Sequence, residues 1–256
     1  HPYTSFHHVA ELGVILVAAG RGERLGSAEP KAFVELGGRS LLEHGIRTVV
    51  ALRHPGQLVL VVPEGYAERA LELADACVPG SSSWQVSVVP GGRERHESVR
   101  FGLDALHETI QTVLVHDAAR PLTPAAVFER VLERVHQTGE AVVPALPVAD
   151  TLKQVDADGT VIATVDRASL VAVQTPQGFT REGLAAAHET AQARAAIAIG
   201  ASAAGTPTGI PTDDAEVVQR FGGTVHTVAG DPLAHKVTLP SDLAMLEGTL
   251  GGRAAL

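Results

Sequence analysis

The chain has 256 residues, 45% of them hydrophobic and 19% charged, which excludes a disordered chain and leaves enough length to bury a full core unaided. A formal net charge of −9 excludes a broad basic face for nucleic acid or for an anionic membrane surface. The single cysteine, Cys77, excludes an internal disulfide framework and a Cys-clustered zinc site, and reads as a buried thiol.

Residues 1–10 carry no charged segment followed by an apolar one, and they read as a disordered leader. No apolar run approaches the roughly 20 residues that span a bilayer, so no membrane association is expected and a cytoplasmic location is the default. From there the chain alternates two kinds of segment. Val14–Val17, Leu58–Val62, Val86–Val89, Val113–Val115 and Ala141–Val143 are short, nearly continuous apolar runs, as in strands covered on both faces. Between them Leu41–Leu52, Tyr66–Ala76, Glu97–His107 and Ala125–His136 are amphipathic. In the last of these Val127, Val131, Leu132 and Val135 fall at helical spacing, with Thr123-Pro124 as cap and first turn. This alternation predicts an α/β fold with a mostly parallel sheet, whose ligand sits beyond the carboxyl ends of the strands.

After about residue 145 the rhythm changes. Thr151–Val155 and Thr160–Val165 flank Asp156-Ala157-Asp158-Gly159, a hairpin signal. With no crossover helix to cover it, the hairpin is expected to project as an arm at about 147–168 and to pack on a second subunit; the alternative is an antiparallel edge of the main sheet. Helices are predicted at Arg181–Ala196, Asp214–Phe221 and Ser241–Leu250, with a mobile loop over Ala195–Pro211. With no repeat or linker, residues 11–256 read as a single domain with an arm.

The first strand runs into Ala18-Ala19-Gly20-Arg21-Gly22-Glu23-Arg24-Leu25. Small residues there leave backbone N–H groups open to phosphate. A dinucleotide fingerprint needs a third small residue where Leu25 stands, which argues against an oxidoreductase, and no Gly-Lys-Ser/Thr tripeptide makes a P-loop. What remains is a phosphate-cradling turn followed by two cations, Arg24 and Lys31, the latter fixed directly after Pro30. A catalytically silent nucleotide-binding module shares this feature and stays open at this point.

Leu16-Val17-Ala18-Ala19-Gly20-x-Gly22-x-Arg24-Leu25 with Pro30-Lys31 resembles the signature of sugar-phosphate nucleotidyltransferases. Further segments follow in order: Pro90-Gly91-Gly92-Arg93-Glu94-Arg95-His96-Glu97-Ser98-Val99, His116-Asp117-Ala118-Ala119-Arg120-Pro121, Asp150-Thr151-Leu152-Lys153, Thr164-Val165-Asp166-Arg167, Gln174-Thr175-Pro176-Gln177, Thr212-Asp213-Asp214-Ala215 and Lys236-Val237-Thr238. As an ordered set, from about Val14 to Glu247, they resemble the 2-C-methyl-D-erythritol 4-phosphate cytidylyltransferases of non-mevalonate isoprenoid synthesis. A ribitol 5-phosphate cytidylyltransferase shares most of these motifs. The resemblance implies a Rossmann-like nucleotidyltransferase sandwich with helices on both faces of the sheet. It also implies CTP and a polyol phosphate as substrates, Mg²⁺ as cofactor and a homodimer joined through the β-arm.

The implied chemistry is attack of a phosphate oxygen on the α-phosphate of CTP. An ionised monoester needs no general base, so placed cations and a metal carry the load. Arg24 and Lys31 are the candidates for stabilising the transition state. Ala18, Ala19, Gly20, Gly22, Gly92, Ser98, Asp117 and Ala118 are implied at the nucleotide, Ser98 being otherwise an ordinary early-helix serine. Asp117 ends a strand, where it either approaches a Mg²⁺ held mainly by the triphosphate or caps the following turn. Arg120 offers a planar fork to a substrate phosphate. Thr151, Arg167, Thr175, Thr212 and Lys236 are implied at the acceptor, with Arg167 and Lys236 positioning it and the arm reaching the neighbour's site. Other readings are a surface salt bridge of Arg167 with Asp166 or Glu182, and a helix cap for Thr212. His235 and Arg93 depart from the family pattern. Arg24, Lys31, Arg120, Arg167 and Lys236, 5 of 20 basic residues, are expected in one crevice.

Overall fold

The structure is a computed structural model that describes residues 10–198 and 210–254, without the side chains of 192–198 and 253–254. The expected leader therefore lies outside the described residues, apart from Ala10, whose carbonyl accepts the Thr109 hydroxyl at 3.0 Å. Most of the expected mobile loop, 199–209, lies outside them too.

The main sheet has eight strands: β1 (Leu12–Val17), β4 (Gly56–Val62), β5 (Trp84–Pro90), β6 (Thr112–Asp117), β7 (Ala141–Pro147), β10 (Val171–Val173), β11 (Gln177–Thr180) and β12 (Val225–Ala229). Two residues each form β2 (Glu35–Leu36) and β3 (Arg39–Ser40), and β8 (Leu152–Val155) and β9 (Val161–Val165) form the hairpin. The helices are α1 (Leu41–Val50), α2 (Ala67–Cys77), α3 (Arg95–Asp104), α4 (Ala125–Thr138), α5 (Arg181–Ala198), α6 (Asp214–Phe221) and α7 (Pro240–Ala254). Among the described residues no helix is long and apolar enough to cross a membrane.

Strands β5-β4-β1-β6 are parallel neighbours, and β11 joins β6 antiparallel before β7, whose other partners are β10 and β12. The expected α/β architecture, mostly parallel in its centre, is therefore what the chain adopts. The chain walks from β1 to β4 to β5 and then returns to the other side of β1 as β6. Val17 and Asp117 are paired at the carboxyl ends, so the crevice of this topological switch opens beside Asp117. Alternate side chains build two cores. Val14, Leu16, Leu58 and Leu60 pack under α1, α2 and α4, while Ile15, Val59 and Val61 pack under α3, α5 and α6.

Local chemistry explains several boundaries. Ser40 and Glu43 form a reciprocal capping box that starts α1, and Gly139 in the left-handed region ends α4. Two expected caps are corrected. Thr123 donates its hydroxyl to the Arg120 carbonyl at 2.9 Å, and Pro124 itself precedes α4. Asp213, not Thr212, caps α6 by accepting the Glu216 N–H at 2.8 Å; Thr212 donates its hydroxyl to the Glu216 carboxylate instead. Asp213 sits at the extended residue before the helix with its carboxylate in reach of the Glu216 N–H, so it takes the role. The helix α5 runs to Ala198, so the first four residues of the expected loop are helical.

The hairpin is a separate two-stranded sheet, not an edge of the main one. Residues 149–173 are exposed throughout. The Asp156 carboxylate accepts N–H groups of Asp158 and Thr160, and Gly159 supplies the positive φ of 82° that closes the turn. Leu152 opposes Val165, and a register shift after Gln154 sets Val155 opposite Val161; all four apolar side chains are exposed.

Candidate functional site

A cleft at the switch point is lined by Ala18, Ala19, Gly20, Arg21, Lys31, Gly92, Arg93, Glu94, Arg95, Ser98, Asp117, Ala118 and Lys236, with a volume of about 240 Å³. Nine predicted site residues are among these. Gly22 and Arg24 belong to the same turn without lining the cleft, and Arg24 is close enough to Lys31 to act on it electrostatically.

The floor is made by sheet hydrogen bonds that continue past the strand ends. Ala18 N–H donates to Val61, Ala118 N–H to Val17, and Val237 N–H to Ala119. The N–H groups of Ala18 and Ala118 are thus committed to the sheet, which corrects the view that every small residue of these turns offers its amide to phosphate. Gly22 has φ +67°, and a Cβ there would stand 2.7 Å from Lys31 Cβ. The glycine is required by the turn and by the lysine lying against it. Lys31 opens a 3₁₀ turn directly after Pro30, and its Nζ donates to the Val237 carbonyl at 3.0 Å. Burial first, then Lys236 and Arg24, hold its ammonium below the ordinary lysine range.

Opposite, the Glu97 carboxylate accepts N–H groups of Arg93 and Glu94, and Ser98 Oγ accepts the Gly92 N–H at 3.1 Å. The Ser98 hydroxyl in turn donates to the Glu94 carbonyl at 3.3 Å. A Cβ on Gly91 would meet Ala19 Cβ at 2.3 Å, so the two loops can approach this closely only with glycine there. Ser98 is 2% exposed and shapes the loop, leaving a wall that is largely backbone.

Asp117 is the electrostatic centre. Its Oδ1 accepts from Arg95 Nε and Nη2 at 3.1 and 2.9 Å, and its Oδ2 from Lys236 Nζ at 2.9 Å. Arg95 Nη1 continues to Asp214 Oδ2 at 2.5 Å, and His188 Nε2 lies 3.7 Å from Asp214 Oδ1. Burial pushes the Asp117 carboxyl up, yet Arg95 and Lys236 hold it well below the usual carboxylate range; Asp214 is held low in the same way by Arg95 and His188. Thr175 is 4% exposed and its hydroxyl accepts the Asp117 N–H at 3.1 Å. The same hydroxyl shares a hydrogen bond with His116 Nδ1 at 2.9 Å, and burial, lowering the His116 pKa to about 4, keeps that imidazole neutral.

The structure does not gather all five expected cations. Arg120 donates to the Ala234 carbonyl at 2.7 Å and does not line the cleft, because burial favours a fixed carbonyl partner over a solvent-facing fork. Arg167 and Thr151 lie on the exposed arm, and Arg167 donates to the Ala149 carbonyl at the arm's base. Neither Thr212 nor Thr175 lines the cleft. Sequence reasoning quoted Arg95 and Asp214 within motifs and gave them no role. A signal was present: a cation at the first position of a helix opposes the helix dipole and needs acidic partners. His235, the departure before Lys236, bonds Asp242 Oδ1 at 2.8 Å, while Asp242 Oδ2 accepts N–H groups of Thr238 and Leu239.

The family described as IspD, 2-C-methyl-D-erythritol 4-phosphate cytidylyltransferase, matches residues 12–251. A bifunctional IspD/IspF enzyme of Clavibacter michiganensis is 45% identical over 92% of this chain and 53% of that protein, so the chain spans about half its length. The 2-C-methyl-D-erythritol 4-phosphate cytidylyltransferase of Nocardia farcinica is 46% identical over 94% of this chain and 95% of that one. The crystal structure of the enzyme of that name from Thermus thermophilus is 33% identical, with a TM-score of 0.69, over 94% of this chain and 98% of that one. The chain belongs to the 2-C-methyl-D-erythritol 4-phosphate cytidylyltransferase family.

Proposed function

We propose that this chain, as one nucleotidyltransferase domain from residue 11, transfers the cytidylyl group of CTP to 2-C-methyl-D-erythritol 4-phosphate. The products are 4-diphosphocytidyl-2-C-methyl-D-erythritol and pyrophosphate, in the non-mevalonate route to isoprenoid precursors. The observation that carries the reading is the convergence of Lys31, Lys236 and Asp117 beside a glycine turn at the switch point of a parallel sheet. An oxygen of the acceptor phosphate forms a bond to the α-phosphorus of CTP. The bond from that phosphorus to the β-phosphate bridging oxygen breaks, and pyrophosphate leaves with the electron pair. The attacking oxygen is already ionised, so no side chain has to remove a proton. Lys31 and Arg24 stabilise charge that grows on the α-phosphate, and half-burial of Lys31 strengthens that effect. The glycine turn and the Gly91-Gly92 wall take the nucleotide, with Ser98 shaping the wall. Lys236 takes the acceptor phosphate, with Thr175, Thr212 and Arg120 fixing the groups around it.

Mg²⁺ belongs to the same proposal. Among the described residues there is no group of three or more His, Cys, Asp or Glu that would hold an ion alone. Asp117, at the strand end in the cleft, is the carboxylate that would face an ion whose other ligands come chiefly from the triphosphate. Bound there, it neutralises charge on the phosphates. A homodimer is also proposed. The arm carries Leu152, Val155, Val161 and Val165 uncovered, and Thr151 and Arg167 at its base would complete the neighbour's acceptor site. The cytoplasm is the proposed compartment, on the sequence reading alone.

The test is steady-state pyrophosphate release with CTP and either 2-C-methyl-D-erythritol 4-phosphate or ribitol 5-phosphate. The expected result is a clear preference in kcat/KM for the first. Equal or better turnover of ribitol 5-phosphate sinks the acceptor assignment.

A further inference from the structure

Arg95 is the first residue of α3, where the helix dipole disfavours a cation, and its guanidinium is largely buried. Neither helix stability nor solvation explains an arginine there. Its compensation is two carboxylates from distant segments, Asp117 at the end of β6 and Asp214 at the start of α6. The resulting network is lopsided. Arg95 makes two bonds to Asp117 Oδ1 and a third to the fully buried Asp214. Lys236 makes one bond, to Oδ2, and its side chain is 42% exposed against 24% for Arg95. The arginine end is buried, multiply bonded and anchored from beneath; the lysine end faces water, where an ion pair is weak.

We infer that Arg95 is a positioning residue that holds Asp117 through Oδ1 and takes the larger share of its charge, so that Lys236 stays exchangeable on Oδ2 and can pass to an anionic acceptor. Its kinetic part rests on the proposed function; its structural part does not. Without Arg95, Asp117 has one cation left. The Asp117–Lys236 pair closes, and an acceptor phosphate must compete with an undivided carboxylate for the ammonium. Asp214 serves by keeping the guanidinium from following the lysine.

The chain has three lysines, Lys31, Lys153 and Lys236, so amine-reactive labelling resolved by peptide mass spectrometry reads Lys236 directly, with Lys153 on the arm as internal reference. It is applied to wild type, to Arg95→Gln, and to the double variant Arg95→Gln/Asp214→Asn, which leaves no uncompensated buried carboxylate at position 214. Labelling of Lys236 is expected to slow about threefold in both variants, the scale of one strengthened exposed ion pair. The KM for the acceptor phosphate is expected to rise by a similar factor, with kcat within about twofold of wild type. An arginine that only braces the fold predicts the opposite sign, because a loosened Lys236 loop labels faster. Faster or unchanged labelling overturns the inference, as does loss of the fold in both variants. If labelling slows while no polyol phosphate supports pyrophosphate release, the proposed function fails and the role of Arg95 stands.

Discussion

The cleft and the arm solve opposite problems. In the cleft every charged group of the Arg95–Asp117–Lys236 network finds its partner within one chain, although the partners lie up to 119 residues apart in sequence. In the arm the short-range bonds are satisfied, since Asp156 closes its own turn, and the long-range ones are missing: Val155 and Val161 are 51% and 55% exposed. A hairpin alone is marginal in water, so a chain that builds one with exposed apolar side chains has left part of its folding energy to be supplied from outside. On the proposed function, nucleotide handling rests on a single chain, while acceptor handling draws both on that chain's Lys236 and on the arm of a second copy. The proposed homodimer is the assembly that makes both halves of the site complete.

That division is broken most directly within the cleft. Lys31→Ala removes a half-buried cation that touches the Val237 carbonyl and shapes the glycine turn. Turnover is expected to fall by about 10² to 10³, the usual cost of deleting a group that stabilises charge in the transition state. Arg24→Ala is expected to fall in the same range, with circular dichroism and the unfolding midpoint of both variants close to wild type. Near-normal turnover in both would remove the catalytic assignment of the glycine turn's cations and leave the cleft a binding site only.

The comparison itself is sharpened by mixing chains. If the arm of one protomer completes the site of the other, Arg167→Ala and Lys31→Ala are each nearly inactive alone. In a heterodimer one site has both defects and the other has neither. Random exchange of equal amounts makes half the dimers mixed, so about a quarter of wild-type activity should return. Native mass spectrometry establishes that exchange has occurred. No recovery after verified exchange would mean that Arg167 serves its own chain, and the arm would then be a fastening without a share in the site.

How much of this was legible before the structure depended on the range of the interactions. The central strands announced themselves because β1, β4 and β6 are buried on both faces and read as unbroken apolar runs. The strand β11, Gln-Gly-Phe-Thr, has no such run; it is a strand because β6 and α4 leave room for it, with Gly178 beneath Val131 and Val135. The strand β12, Val-His-Thr-Val-Ala, pairs among the described residues with β7 alone and is half covered, and it shows neither an unbroken apolar run nor an alternation. The same rule holds at the site. Gly22, Lys31 and Asp117 stand out from their neighbours in sequence, whereas the Arg95–Asp214 contact depends on the first residues of α3 and α6 coming together from 119 positions apart. Arg120 shows the converse: its spacing from Asp117 suited a ligand, and the Ala234 carbonyl claimed it first.

The smallest expected effect tests the segment that joins the two regions of charge. Lys236 is held in place by its neighbours on both sides: Val237 donates to Ala119 and accepts from Lys31, while His235 reaches Asp242. Asp242 also receives the N–H groups of Thr238 and Leu239, and these contacts, with the His235 bond foremost, lower its pKa to about 2. A carboxyl depressed on folding contributes stability above its unfolded pKa and loses it as pH falls through the folded one, so Asp242 keeps the segment tied throughout the range above about pH 4. His235→Ala removes one exposed bond from a knot that Asp242 still closes. Its expected cost is about threefold in kcat/KM for the acceptor, with kcat/KM for CTP unchanged, in keeping with the weakness of exposed pairs. Asp242→Asn should cost more, because two N–H groups then face a neutral amide. If His235→Ala instead matched Lys236→Ala, the histidine would be holding the lysine directly, and the segment would belong to the acceptor site rather than to its support.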